Sequence, residues 1–181
     1  MPIINEKDCF RTRDEMTIFH ECGHALLATV YGLRVKKIDL KLNEGGLPLT
    51  EIDTEGFNRL SVNRKIDFYM AGYAAEMFYC SFILNSPHEH FGQKYVQKVF
   101  DETSFLAFEN DRKAAVNLMR FPFLKDYRLK LSLERVYNLI SKSNHPMFHL
   151  FKGLCDNGML TENQIKTICN GRYTISANQE L

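Results

Sequence analysis

The chain has no surplus of either charge. Lysine and arginine total 23 against 22 aspartate and glutamate in 181 residues, so neither a nucleic-acid footprint nor an acidic solvating tail is expected. Paired cysteine motifs are missing as well. Cys9, Cys22, Cys80, Cys155 and Cys169 are odd in number and widely spread, include no C-x-x-C, and follow no secretory leader. That pattern predicts a reducing, cytoplasmic setting. Long apolar runs are also lacking. The most apolar stretch, Phe68 to Leu84, is interrupted by Glu76 and falls short of the roughly 20 residues a spanning helix needs, so no membrane span is expected. No repeat, low-complexity run or linker divides the chain, and its length suits one domain with a sizeable core.

Apolar periodicity supplies the elements. "TRDE" at 12–15 is a Thr-x-x-Glu capping box that predicts a helix start near Arg13. Met16, Phe19, Gly23, Leu26, Leu27 and Val30 follow at helical spacing, and Gly32 is its natural stop. "VKKIDLKL" alternates Ile38, Leu40 and Leu42 against Lys37, Asp39 and Lys41, the period of a half-buried strand. "NEGG" at 43–46 reads as its turn, and Leu47 to Ile52 as a return strand that Pro48 demotes to an edge or to an irregular segment. Helices are then expected from Ser61 to about Leu84, over 91–108, and from Asn110 to a stop before Pro122. Others should cover Lys125 to Ser143, Pro146 to Asp156, and the stretch from the capping box "TENQ" at 161–164 to Cys169. The fold class is mainly α, of the α+β kind, with a small β-hairpin or edge strand. Residues 1–181 are read as a single domain, with 12–120 as its core and 121–171 as a C-terminal helical part.

The stretch "TIFHECGHALLATVYG" carries the chemistry. His20, Glu21 and His24 form H-E-x-x-H, and a helix places residues four apart on one face, so both imidazoles can reach one ion. Zn²⁺ takes neutral nitrogen ligands and, in catalytic sites, leaves one position open to water. Glu21, roughly 100° further round the helix, can face that water and take its proton. Gly23 costs about 1 kcal/mol relative to alanine in a helix interior, which suggests a backbone approached closely by something else. The small residues Ala71, Gly72, Ala74 and Ala75 are the matching surface. Two other pairs are weaker. His145 and His149 are also four apart, but Pro146 suggests that His145 precedes its helix; His88 and His90 do not share a face. Cys22 lies off the face of the two histidines and is read as packing.

A third ligand must come from elsewhere, because Val30 stands where the longer H-E-x-x-H-x-x-G-x-x-H motif has its last histidine. Glu76, Asp101, Glu102, Glu109 and Asp111 are candidates. Three segments in order, "HECGHALLATVYG", "AGYAAEMFYC" and "ENDRKAAVNLMR", resemble the zinc peptidase domain of the FtsH-type AAA proteases. They are similar to its H-E-A-G-H-A helix, its G-G-R-A-A-E-E segment and its S-N-D helix start, with Cys22, Ala71, Tyr73 and Met77 as departures and a longer stretch between Glu76 and Asp111. The resemblance implies a helical, zincin-like peptidase fold with zinc held by His20, His24 and Asp111. It also implies that Glu76 supports a ligand histidine through its other ring nitrogen, though Glu76 as a direct ligand stays open.

The ATPase half of that family is missing, since no G-x-x-x-x-G-K-[ST] occurs. The expected activity is an ATP-independent zinc metallopeptidase acting on polypeptides, with Glu21 as general base. Its substrate is expected to add as a strand along Arg34 to Leu42. The alternative is a catalytically silent, zinc-containing binding or regulatory module derived from such a peptidase.

Overall fold

The computed structural model describes residues 13–40, 48–83 and 106–170. In chain order the described elements are α1 (Arg13–Val30), β1 (Val35–Asp39), β2 (Leu49–Ile52), α2 (Thr54–Arg59) and α3 (Val62–Ile83). They continue with α4 (Leu106–Asn117), a 3-10 turn (Pro122–Leu124), α5 (Lys125–Lys142), α6 (Asn144–Asn157), β3 (Met159–Thr161) and α7 (Glu162–Asn170). The fold is mainly helical with one small antiparallel sheet, as the periodicities predict.

Helix α1 runs through the middle of the molecule. Every residue from Phe19 to Ala28 is buried, Gly23 included, its bare backbone covered by α3. A side chain at Gly23 would run into the carbonyl oxygen of Ala71 and come within 2.7 Å of Ala75 Cβ. The two helices therefore cross at backbone contact, and the cost of a mid-helix glycine is offset by that approach. Gly32 ends the helix at φ 73°, with Leu33 N–H donating to Ala28 O at 2.8 Å, the six-to-one bond of a left-handed helix stop. Thr12, the capping residue expected at the other end, lies outside the described residues, and Glu15 accepts from the Tyr79 hydroxyl.

The sheet has the order β2-β1-β3, with Ile38 opposite Thr50 on one side and Leu160 on the other. Ile38 and Val35 face inward and are buried, while Lys36 is exposed. Strand β3 has no counterpart in the sequence reading, because three residues between two helices are too few to show a period. Its presence has a consequence. β1 is hydrogen-bonded on both sides over Lys37–Asp39, so the edge expected to be open along Arg34 to Leu42 is closed there.

α5 covers α3 with Leu129, Leu133, Val136 and Ile140, all buried. α6 starts at Asn144 rather than at Pro146. A proline in the first helical turn sacrifices an N–H that has no intrahelical partner anyway, so it starts the helix no later than its neighbours do. α4 likewise starts earlier than Asn110, which puts Asp111 in the body of a helix rather than in its first turn. The helix expected over 91–108 falls almost wholly outside the described residues.

Candidate metal centre

Helix α1 sets His20 and His24 one turn apart, and their Nε2 atoms are 3.0 Å from each other. Helix α4 brings Asp111 Oδ2 to 3.1 Å from His20 Nε2 and 3.0 Å from His24 Nε2. Among the described residues this is the cluster of three or more such side chains that could hold a metal ion. Both histidines are buried, and the Asp111 side chain is 19 % exposed.

The other ring nitrogens determine what the three atoms are. His24 Nδ1 is 2.9 Å from the carbonyl oxygen of Phe68, which can only accept, so that nitrogen carries the hydrogen. His20 Nδ1 donates to Glu76 Oε1 at 2.7 Å. In a neutral ring each Nε2 is then a lone pair, and two lone pairs meet a carboxylate oxygen at the corners of a nearly equilateral triangle. Three acceptors this close repel one another unless something positive sits among them. A proton can do so: burial pulls the His20 pKa down, but its bonds to Asp111 and Glu76 outweigh burial and it stands at about 10. Burial pushes Asp111 up, and the His24 charge and the two histidine bonds outweigh it, leaving the carboxyl at about 2.

A small divalent cation suits the same triangle. Tetrahedral bonds of about 2.0–2.1 Å place ligand atoms about 3.3 Å apart, a few tenths of an ångström beyond the 3.0–3.1 Å observed. Two imidazoles and one carboxylate favour a borderline ion over the oxygen-seeking Ca²⁺ and Mg²⁺, and three protein donors leave a fourth position open.

Gly72 belongs to this site. A Cβ on Gly72 would overlap the His20 ring, so the glycine within "AGYAAE" makes the space for that ring, while Ala71 and Ala75 meet Gly23. Glu76, one helical turn further along α3, is buried beside the same ring. Its place on Nδ1 puts it behind the triangle and not in it. Asp101 and Glu102 lie outside the described residues, and Glu109 is two positions before Asp111 on α4.

Glu21 is buried, 6 % exposed, and Thr50 Oγ1 lies 2.7 Å from its Oε2 and 3.0 Å from its main-chain oxygen. Thr50 escaped the sequence reading, as did the Phe68 carbonyl. A main-chain acceptor leaves no trace in residue identity. For Thr50 the trace is faint, an inward-facing polar residue in a strand whose partner Ile38 also faces inward. The structure does bring His145 and His149 together, Nε2 to Nε2 at 3.2 Å on the exposed side of α6, but they form no three-donor cluster among the described residues. His88 and His90 lie outside those residues.

A family model described as Peptidase M50B-like matches residues 12–97. The match takes in His20, Glu21, His24, Thr50, Phe68, Gly72 and Glu76 and ends before Asp111. It supports a likeness to zinc peptidases, and it does so through the M50B description rather than the FtsH type suggested by the three segments. The comparison with curated proteins gives no match.

Proposed function

We propose that the protein is an ATP-independent zinc metalloendopeptidase in which His20, His24 and Asp111 are the ligands and Glu21 is the general base. One observation carries the reading. Three acceptor atoms converge within 3.1 Å while both histidine Nδ1 hydrogens are committed elsewhere, a donor set that asks for a cation. The peptidase likeness over residues 12–97 supports the same direction. Asp111 as the third ligand rests on its Oδ2, which stands 3.1 and 3.0 Å from the two Nε2 atoms.

Held by His20, His24 and Asp111, a zinc ion would supply a positive charge for the carbonyl under attack and a water of lowered pKa. Glu21 would be the residue that accepts a proton from water and hands it to the leaving amine. Glu76 and the Phe68 carbonyl hold the two rings in the tautomer that presents Nε2. The substrate is an extended polypeptide, added to the outer edge of β2, where no described element pairs with the strand. Main-chain pairing makes little demand on sequence, which suits unfolded chains. No helix among the described residues is long and apolar enough to cross a membrane, and the cytoplasmic setting rests on the cysteine pattern.

The test is chelator-sensitive cleavage of unfolded, labelled casein by the purified protein, beside a metal count. Zinc near one equivalent with cleavage, and a Glu21→Gln variant that keeps zinc but loses at least about a hundredfold in rate, is the expected result. Zinc without cleavage in the unaltered protein would instead establish a silent zinc-containing module.

A further inference from the structure

We infer that Thr50 is a positioning residue for Glu21, its hydroxyl holding the carboxyl in the one orientation from which the base can work. The inference rests on the peptidase reading for what Glu21 does, and on the structure for how Glu21 is held.

Glu21 has three rotatable side-chain bonds, and a helix restrains the first of them far better than the others. Thr50 restrains the rest. Its Oγ1 is 2.7 Å from Glu21 Oε2 and 3.0 Å from the main-chain oxygen of the same residue, so one hydroxyl ties the far end of the side chain to its own backbone. The hydroxyl has one hydrogen, which donates to either oxygen. Both partners are buried, Thr50 at 8 % and Glu21 at 6 % exposed. Among the described residues Glu21 Oε1 has no hydrogen-bond partner, so the clamp occupies one carboxyl oxygen and leaves the other to meet water. The strand that carries Thr50 is also the one with the open edge, so β2 both places the base and offers itself to a peptide.

The position itself is well determined. Thr50 stands opposite Ile38, which is fully buried, and β2 packs against α1. A β-branched residue suits a short strand, so packing alone would be satisfied by valine. The hydroxyl is the part that valine lacks.

The test compares Thr50→Val, Thr50→Ser and Thr50→Ala in the zinc-loaded full chain, with casein cleavage, bound zinc and thermal midpoint measured together. Thr50→Val should keep its zinc and midpoint, lose roughly 10- to 100-fold in kcat as misplaced catalytic groups do, and leave KM unchanged. Thr50→Ser should recover to within about threefold of the unaltered protein. Serine no faster than alanine overturns the inference, and that comparison stands even where the valine variant fails to fold. If the unaltered protein cleaves nothing, the peptidase reading has failed, and crystal structures of it and the valine variant decide this one separately. Glu21 in one conformer in the former and spread over several in the latter is expected; the same single conformer in both overturns the clamp.

Discussion

Glu76 Oε1 accepts the hydrogen on His20 Nδ1 at 2.7 Å, between residues 56 positions apart in the chain. The bond sets the ring's tautomer and its orientation, and makes Nε2 a better donor to a cation. Glu76→Gln keeps an oxygen that can accept the same hydrogen but removes the charge behind it. Zinc affinity should fall about 10- to 100-fold, read by competition with a chromophoric chelator, while Asp111→Asn should fall further. If the Glu76 variant alone loses its metal, Glu76 is the ligand and Asp111 is not.

Two glycines separate stability from metal binding. Gly72→Ala puts a methyl group into the space of the His20 ring, so the ring must leave the triangle. Zinc should be lost while α3, gaining alanine's helix propensity of up to about 1 kcal/mol, stays folded. Gly23→Ala meets the main-chain oxygen of Ala71 instead, and separating α1 from α3 should cost about 1–3 kcal/mol in urea denaturation. Unchanged zinc content in Gly72→Ala would show that the ring has another place to sit.

The shared proton predicts opposite pH behaviour with and without metal. For His20 the pKa rises from the usual 6.5 to about 10, so its stabilising contribution is complete below 6.5 and is lost as pH climbs through about 10. For Asp111 the pKa falls from 3.8 to about 2, so its contribution is present above 3.8 and is lost as pH drops through about 2. The metal-free protein should therefore be most stable between these limits and weaken towards pH 10. Zinc displaces the proton, so its affinity should rise with pH across the neutral range and the alkaline decline should vanish. Denaturation curves at pH 5, 7 and 9, with zinc and with chelator, check this; parallel curves would contradict it.

Asp67 anchors the opposite side of α3. Buried at 2 % exposure, it accepts from Tyr31 Oη at 2.7 Å, Ser132 Oγ at 2.5 Å and Arg135 Nε at 2.9 Å. It directly precedes Phe68, whose carbonyl orients His24. Breaking a buried pair costs about 3–5 kcal/mol, and the half-exposed Arg135 reduces that, so Asp67→Asn should destabilise by about 2–3 kcal/mol in urea, with a weaker hold on zinc. A loss below about 0.5 kcal/mol, the size of a surface change, would show that solvent had already replaced the pair.

Much of this was legible because chemistry and period coincide in α1: His20, Glu21 and His24 are spaced by the helix that also buries Phe19, Leu26 and Leu27. Gly23 was legible as a close approach from its cost alone. The partner role of Gly72 was not, because a glycine that yields to a neighbour's ring looks the same as one that yields to a backbone. Asp111 came from a segment likeness, since no local rule connects it to His20 across 91 positions. Strand β3 was missed for its brevity, and with it the fact that β1 is central. His145 lies inside α6 although Pro146 follows it, because a first-turn proline is a start signal as much as a stop.

The triangle draws its corners from α1 and α4, which are made far apart in time as well as in sequence. A chain emerging from the ribosome shows both histidines, Glu21 and Glu76 long before Asp111, and until α4 docks it offers two donors where three are needed. Under the proposed function, metal capture would then be a late event that follows the closing of the bundle. If the ion binds the closed state and not the open chain, as the proposed site requires, scarcity of zinc would act first on how much of the protein survives, before it acted on how fast any of it works.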